Sequence, residues 1–322
     1  GDLSMIPQKM FAGIDTYTYV CILLFILSAD IMSVGGITNA IVVFCEKLVG
    51  HIKGGLAHVN VLASMLFAGL SGSAAADAAG LGPIEIKMMT DGGYDKEFSS
   101  SLTAASAIIG PIIPPSNIMI IYAGCVGTVS VGKMFLAGAI PGILLGIAYM
   151  IFCYWISVKR KYPCRKTRAT WKEIGHATWE TLPALLLPII IMGTITLGIC
   201  TATESSAIAV IYSTIVAACK KNLSIKSFCR ACIRSAKAAA NVLFIIAISS
   251  AMAWAVTTLG VAQALTNFCV AYINNKIVFL LFVNVLLLLI GMLLDASPAL
   301  LLMVPILWPV AKTLGIDAIH FG

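Results

Sequence analysis

The stretch from Gly69 to Pro83, GLSGSAAADAAGLGP, most constrains how this chain can fold. Two apolar segments, roughly Leu56 to Leu70 and Ala74 to Met89, meet there at the polar tip Ser71-Gly72-Ser73. Neither segment reaches the ~20 residues that a membrane-crossing helix needs. Bare backbone at membrane depth is tolerated only where protein or a water-filled cavity satisfies its polar groups. The pattern therefore predicts a re-entrant hairpin with an ion or solute site at its tip.

A membrane setting follows from the composition. Of the 322 residues, 60% are hydrophobic and 11% are charged, and the mean hydropathy is +0.99. Ordinary soluble domains have about 25% charged residues, so the chain is predicted to be an all-α polytopic membrane protein. The net charge of +7 lies mainly in two short segments, which informs topology and gives no support to nucleic-acid binding. The ten cysteines show neither a disulfide framework nor a transition-metal spacing.

Two further apolar segments carry breaks like that of the hairpin. The segment from Ser99 to Tyr122 contains GPIIPPS at Gly110 to Ser116, where two adjacent prolines remove backbone donors and forbid a continuous helix. The segment from Ile277 to Lys312 is interrupted at Asp295-Ala296-Ser297-Pro298. These patterns predict a broken span and a second hairpin.

The order of segments in the first third of the chain returns in the last third. Residues 1–122 are predicted to form a first repeat of arm, broken span, hairpin and Pro-Pro break. Residues 123–218 are predicted to be connecting transmembrane helices, and residues 219–322 an incomplete second repeat. One constant offset places Ser73 on Ser297 without a gap.

Lysine and arginine set the orientation, because they mark cytoplasmic loops. The basic segments Lys159 to Lys172 and Lys220 to Lys237 are therefore both predicted to be inside. Counting the spans from them, the first hairpin opens to the cytoplasm and the second to the periplasm. Inverted repeats whose broken helices meet near the midplane are typical of secondary transporters.

Several polar side chains lie within otherwise apolar surroundings: Ser71, Ser73, Asp77, Ser116, Glu204, Asp295 and Ser297. An acidic group in the bilayer centre is costly, which makes it a functional candidate. The structural alternative is that Asp77 and Asp295 only cap helices at the two tips. Hydroxyl, carbonyl and carboxylate oxygens suit Na⁺, and the N-terminal ends of half-helices suit an anionic solute.

No arginine lies deep in an apolar segment, so carboxylate binding is expected to depend on helix dipoles or on the bound cation. Asp30 and Glu46 lie nearer segment ends and are interpreted as interfacial.

Other classes of protein fit less well. Gly69-Leu70-Ser71-Gly72 matches G-x-S-G, the nucleophile motif of rhomboid-type intramembrane proteases, which need a histidine on a later transmembrane helix. None of His51, His58, His176 and His320 lies mid-span downstream of Ser71. A channel should show pore-lining rings on continuous helices instead of two opposed hairpins. A stand-alone Na⁺/carboxylate or other anion symporter, or a structural subunit, stays open.

Four long motifs resemble the large membrane subunit of the tripartite ATP-independent periplasmic (TRAP) transporters. They occur in order between about Met5 and Gly322: GGLAHVNVLASMLFAGLSGSAAADAAGLG, IIGPIIPPS, FLAGAIPGILLG and TATESSAIAVIY. The resemblance implies a Na⁺-coupled importer of the bacterial inner membrane, without a cofactor and not an enzyme. It also implies an organic acid, such as a sialic acid or a C4-dicarboxylate, taken from a periplasmic solute-binding protein, and a small four-helix membrane subunit as partner.

The resemblance carries site roles over to this sequence. Sodium ligation is implied for Ser71, Gly72, Ser73, Gly110, Pro111, Pro114, Pro115, Ser116, Asp295, Ala296 and Ser297. Solute binding or coupling is implied for Ser71, Ser73, Asp77, Ser116, Thr203, Glu204, Asp295 and Pro298. The first tip and the Pro-Pro break would share one Na⁺ site.

The family carries a second Pro-Pro element beyond the second hairpin, and this chain stops before it. Half of a second Na⁺ site is therefore unassigned. Both ends are expected to be missing, and a chain with these ends is not expected to transport.

An elevator-type motion is also implied. Both hairpins and the broken span Ser99 to Tyr122 are expected to move together against a fixed scaffold. The scaffold is expected to include the arm Lys220 to Lys237, whose basic residues can lie near anionic lipid headgroups.

Overall fold

A computed structural model describes residues 4–164, 168–260 and 275–322, and every regular element in those ranges is a helix. The first unit contains α1 Met5–Ile14, a 3₁₀ turn Tyr17–Tyr19, α2 Val20–Val34, α3 Ile37–Val49, α4 Gly55–Ser71, α5 Ala74–Gly80, α6 Gly82–Asp91, α7 Lys96–Ala107 and α8 Asn117–Val126. Then follow α9 Val131–Arg160, α10 Trp171–Thr196, α11 Ala202–Cys219 and α12 Ile225–Thr258. The last are α13 Lys276–Gly291, α14 Ala296–Thr313 and α15 Ala318–Phe321.

Six helical stretches in the described ranges are long and apolar enough to cross a membrane. They are Tyr17–Val34, Val131–Arg160, Trp171–Thr196, Ala202–Cys219, Ile225–Thr258 and Ala296–Thr313. The predicted class, an all-helical multi-pass membrane protein, is confirmed.

The first predicted hairpin is built from two helices that are shorter than a span. α4 has 17 residues and α5 has 7. They meet at Gly72, whose φ of 59° lies in the left-handed region that glycine adopts without steric cost. Ser73 then caps α5, since its hydroxyl accepts from the backbone N–H of Ala76. The predicted tip is thus the turn between two half-helices, while its re-entry into a membrane stays a prediction.

The predicted breaks fall where glycine and proline stand. α7 ends at Ala107 and α8 begins at Asn117, so the Pro-Pro segment lies between two separate helices. α2 ends at Val34 and α3 begins at Ile37, on either side of the Gly35-Gly36 pair.

The second repeat differs from the expectation at its start. The sequence predicts a separate interfacial arm at 220–237, but Ile225–Thr258 is one continuous helix of 34 residues. The alanine-rich run at 231–240 contains no glycine or proline, so nothing interrupts the helix there. The sequence also predicts a span over residues 241–272 that is broken near Gly260, and part of that span lies outside the described residues.

The second hairpin also differs in its details. α14 begins at Ala296, so Ser297 and Pro298 belong to its first turn. α14 has 18 residues and contains Pro305 and Pro309. The interruption covers residues 292–295, so it overlaps the predicted break, 295–298, only at Asp295.

Packing brings the two ends of the chain together. α2 packs against α11 and α12, α1 packs against α12, and α8 packs against α14. The main buried core joins these helices to α4 and α10 through apolar side chains such as Ile22, Phe25, Phe67, Leu70, Ile121, Leu187 and Ile246. The repeat boundaries at residues 122 and 218 stay predictions.

Candidate functional site

A cavity of about 490 Å³ lies between the two hairpin tips. Its walls include three residues from each tip and one from the Pro-Pro break: Ser71, Gly72, Ser73, Pro111, Asp295, Ala296 and Ser297. α2 and α12 form the other side, with Ile26, Asp30, Ser33, Arg234, Ala238 and Val242. Residues more than two hundred positions apart in the sequence therefore share one cavity.

The first tip packs directly on the Pro-Pro break. A Cβ atom at Gly72 would collide with the carbonyl oxygen of Pro115, and a Cβ at Gly110 would lie 3.2 Å from the carbonyl oxygen of Ser73. The backbone N–H of Asn117 donates to the carbonyl of Gly72 over 3.4 Å. The two glycines thus permit a close approach of two irregular backbones, as the sequence predicts. Pro114 and Pro115 contribute carbonyl oxygens there but no N–H donors.

The serine hydroxyls around the tip have different partners. Ser116 donates to the carbonyl of Pro111 over 2.5 Å and accepts from the N–H of Met119, so it begins α8. Ser73 caps α5. The hydroxyl of Ser71 is buried and has no hydrogen-bond partner among the described residues. Ser71 is therefore the hydroxyl of the first tip that has no protein partner in the described ranges to compete with a ligand.

The capping alternative for the two acidic residues is not supported. Asp77 lies one turn inside α5, whose N-terminal cap is Ser73, and both of its carboxylate oxygens are buried without a hydrogen-bond partner in the described part of the chain. Asp295 occupies the position before α14, but its side chain makes no capping hydrogen bond. Asp295 lines the cavity, and Asp77 does not.

Thr203, Glu204 and Pro298 do not line this cavity. Thr203 donates to the carbonyl of Tyr17. Glu204 is exposed and accepts from the backbone N–H and the hydroxyl of Thr201, at 2.8 Å each. These bonds form a capping box at the start of α11. The T-x-x-E spacing of a capping box was a signal that sequence reasoning could have used for Glu204.

Asp30 and Arg234 are two charged residues of the cavity wall that sequence reasoning missed. Arg234 Nη2 lies 2.8 Å from Asp30 Oδ1, and Arg234 Nε donates to Asp30 Oδ2 over 3.1 Å. Ser235 also donates to Asp30 Oδ2, over 2.7 Å. Asp30 is therefore not a free interfacial residue: it orients a guanidinium at the wall of the cavity. An arginine can thus reach the cavity although none lies deep in an apolar segment.

Comparison with known proteins gives one consistent answer. The family model described as "Tripartite ATP-independent periplasmic transporter, DctM component" matches residues 2–322. The sialic acid TRAP transporter large permease protein SiaM of Vibrio cholerae is 40% identical over 321 residues, which are 99% of this chain and 75% of that protein.

Relatives with other named solutes are almost as similar. The C4-dicarboxylate TRAP transporter large permease protein DctM of Pseudomonas aeruginosa is 37% identical over 98% of this chain and 73% of that protein. The 2,3-diketo-L-gulonate TRAP transporter large permease protein YiaN of Escherichia coli is 34% identical over the whole chain and 75% of that protein. These relatives are permease subunits and not enzymes, so the protease alternative is not favoured. The chain belongs to the DctM family, the large permease components of TRAP transporters.

Proposed function

We propose that this chain belongs to a large permease subunit that moves an organic acid across the bacterial inner membrane by Na⁺ symport. The subunit acts with a periplasmic solute-binding protein that delivers the acid and with a small membrane subunit. The observation that carries the proposal is the single cavity that both hairpin tips line. A solute held between tips that open to opposite faces can be exchanged with either side.

Sodium binding is supported by the chemistry of the first tip. Na⁺ is a hard cation and takes oxygen ligands, as Mg²⁺ and Ca²⁺ do. The Ser71 hydroxyl has no competing partner among the described residues, and the neighbouring Pro-Pro break supplies carbonyl oxygens without N–H donors. This combination favours a cation over an anion at the contact between Gly72 and Pro115.

Anion binding is supported on the opposite wall. The guanidinium of Arg234 has five N–H donors, and those that Asp30 does not use remain for a carboxylate. Sialic acid, C4-dicarboxylates and 2,3-diketo-L-gulonate, the solutes named for three of the relatives, share a carboxylate group. An organic acid is therefore the solute class that fits both the cavity and the family.

The test is uptake by the complete permease, reconstituted in proteoliposomes with its small subunit and binding protein. A panel of sialic acid, C4-dicarboxylates and sugar keto acids should reveal one acid whose uptake an inward Na⁺ gradient drives. Omitting the binding protein separates the tripartite system from a stand-alone symporter. Uptake that ignores Na⁺, or that needs ATP, would refute the proposal.

Ser71→Ala tests the ion site in the same assay. Losing one oxygen ligand should raise the Na⁺ concentration for half-maximal uptake about tenfold, equivalent to about 1.4 kcal/mol. Ser73→Ala should act in the same direction but less, because the Ser73 hydroxyl also caps α5. The control is Ser130→Ala, an exposed serine that makes no capping bond at the start of α9. Equal Na⁺ dependence in all three variants would exclude the first tip as the ion site.

A further inference from the structure

Two acidic side chains are buried away from the cavity, inside the group of helices α4 to α7, which we call the first hairpin unit. Asp77 on α5 is 1% exposed and Glu85 on α6 is 0% exposed. All four carboxylate oxygens lack a hydrogen-bond partner among the residues that the structure describes. Neither residue lines the cavity between the tips.

An ionised carboxylate is not stable in such surroundings without a counter-charge or several donors. The ion pairs formed by described residues are Lys47–Glu173, Arg160–Asp95, His176–Glu180 and Arg234–Asp30, so none reaches these two carboxyls. The buried histidine of α4, His58, faces the ring of Tyr154 on α9 instead. Among the described residues, the thiol of Cys45 on α3 is also close enough to interact with Glu85, and it brings no positive charge.

The two carboxyl groups belong to one helical run. The N–H of Leu81 donates to the carbonyl of Asp77 over 2.9 Å, and the N–H of Glu85 donates to the carbonyl of Leu81 over 3.0 Å. The side chains are two turns apart, and the Cα–Cβ bond of Glu85 tilts toward the N-terminal end of the helix, where Asp77 lies. They are near enough for their charges to interact.

A strip of buried polar side chains from α4 and α7 packs along this run. Asn60 Nδ2 donates to Thr103 Oγ1 over 2.7 Å. Ser106 Oγ donates to Asn60 Oδ1 over 2.8 Å, and Ser64 Oγ donates to Ser106 Oγ over 3.2 Å. These four side chains are at most 4% exposed. The strip is therefore a continuous chain of hydrogen bonds inside the unit.

One end of the strip lies near Asp77, and the other end lies near the helix that carries Glu85. Ser64 lies beside Asp77. At the other end, a Cβ on Gly82 would lie 3.3 Å from Thr103 Cγ2, and Asn60 Nδ2 lies 3.7 Å from the sulfur of Met89. Because positions 82, 85 and 89 share one face of a helix, Glu85 points toward the Asn60 end of the strip.

We propose that Asp77 and Glu85 form a proton-binding site within the first hairpin unit, with the polar strip as the hydrogen-bonded connection between them. Each carboxyl carries a proton in the state described here, and the proton supplies the missing donor: on Asp77 it can be given to Ser64 Oγ. The ligand is the proton and not a metal cation, because no group of three or more His, Cys, Asp or Glu among the described residues could hold a metal ion. This site is separate from the cavity and does not depend on the solute or on Na⁺ coupling.

Infrared spectroscopy of the complete permease with its small subunit tests the proposal directly. A protonated carboxyl group has a carbonyl stretching band that an ionised carboxylate lacks, and the band shifts in D₂O. The wild type should show this band at neutral pH, Asp77→Asn and Glu85→Gln should each remove one component, and the double variant should remove both. The matched controls are Asp91→Asn and Glu97→Gln, exposed acidic residues at the ends of α6 and α7, and they should leave the band intact.

Two outcomes would overturn the proposal. One is a wild-type spectrum without the band at neutral pH. The other is a carboxylate signal that responds to Na⁺ or K⁺ and disappears in Glu85→Gln, which would assign the site to a metal cation. If a variant fails to fold, ¹³C-carboxyl labelling of aspartate or glutamate in the wild type still decides, because a protonated band that shifts with neither label contradicts the assignment.

Discussion

At the scale of single residues, the cavity depends on a few backbone and charge contacts. Gly72 and Gly110 let the tip and the break meet, and Asp30 holds Arg234 at the opposite wall. The glycines were predictable, because Gly and Pro interrupt apolar segments in a recognisable way. The Asp30–Arg234 pair was not, because 204 positions separate the two residues and nothing local marks either as a partner.

Arg234 gives the sharpest prediction at this scale. Arg234→Gln should raise the KM for the transported acid at least about tenfold, equivalent to about 1.4 kcal/mol, because a carboxylate loses a charged donor. Arg234→Lys should recover part of the loss, since a lysine keeps the charge but not the planar fork.

Arg230→Gln, an exposed position one turn earlier on the same helix, is the control for a general loss of positive charge. Equal KM values for Arg234→Gln and Arg230→Gln would show that Arg234 does not contact the solute.

At the scale of elements, helix capping explains one sequence motif, and the continuity of α12 corrects one predicted boundary. The T-x-T-E motif that suggested a site begins α11 with a capping box. Most of the basic arm Lys220 to Lys237 forms the first part of α12. This continuity brings Arg234 to the cavity wall. Periodicity alone could not predict this, because a charged amphipathic segment and the charged end of a long helix look alike in sequence.

A polar contact ties α7 to the C-terminal end of α9. The carboxylate of Asp95 accepts from Tyr162 Oη over 2.5 Å and from Arg160 Nη1 over 2.8 Å. The hydrogen bond from Tyr162, followed by that from Arg160, holds the pKa of Asp95 below its usual range. A carboxyl whose pKa is depressed in the folded state stabilises that state above its unfolded pKa, and the contribution is lost as the pH falls through the folded value.

Asp95→Asn should therefore lower the thermal midpoint slightly near neutral pH. The difference from wild type should shrink as the pH falls below about 4, where the unfolded chain takes up the proton first, and should vanish below the depressed pKa of the native carboxyl. Thermal unfolding in detergent over a pH series measures this. A difference that persists unchanged at acid pH would mean that Asp95 stabilises the fold through packing that does not depend on its charge.

At the scale of the whole molecule, two groups of helices share the main core and face each other across the cavity. The first hairpin rests on the Pro-Pro break, while α1, α2, α11 and α12 pack on one another. The cavity lies between these groups, with Ala79 on the hairpin side and Ala238 on the α12 side. The family resemblance implies an elevator motion, and we propose that in such a motion one of these groups moves against the other.

Cysteines at Ala79 and Ala238 test that motion. In a background with serine at the exposed Cys164, Cys219 and Cys229, a short flexible crosslink between them should stop uptake and leave solute binding measurable. Each single cysteine treated with the same reagent is the control. Normal uptake with the crosslink complete would favour a local opening of the tips.

We propose above all that the solute occupies the cavity between the two tips. The most direct measurement is thiol labelling of Ser73→Cys and Ser297→Cys, one from each tip, in the same background and in the complete transporter. We expect Na⁺ together with the transported acid to slow labelling at both positions, and K⁺ in place of Na⁺ to leave labelling unchanged. Undiminished labelling of Ser297→Cys in a permease that still takes up the acid would contradict the claim.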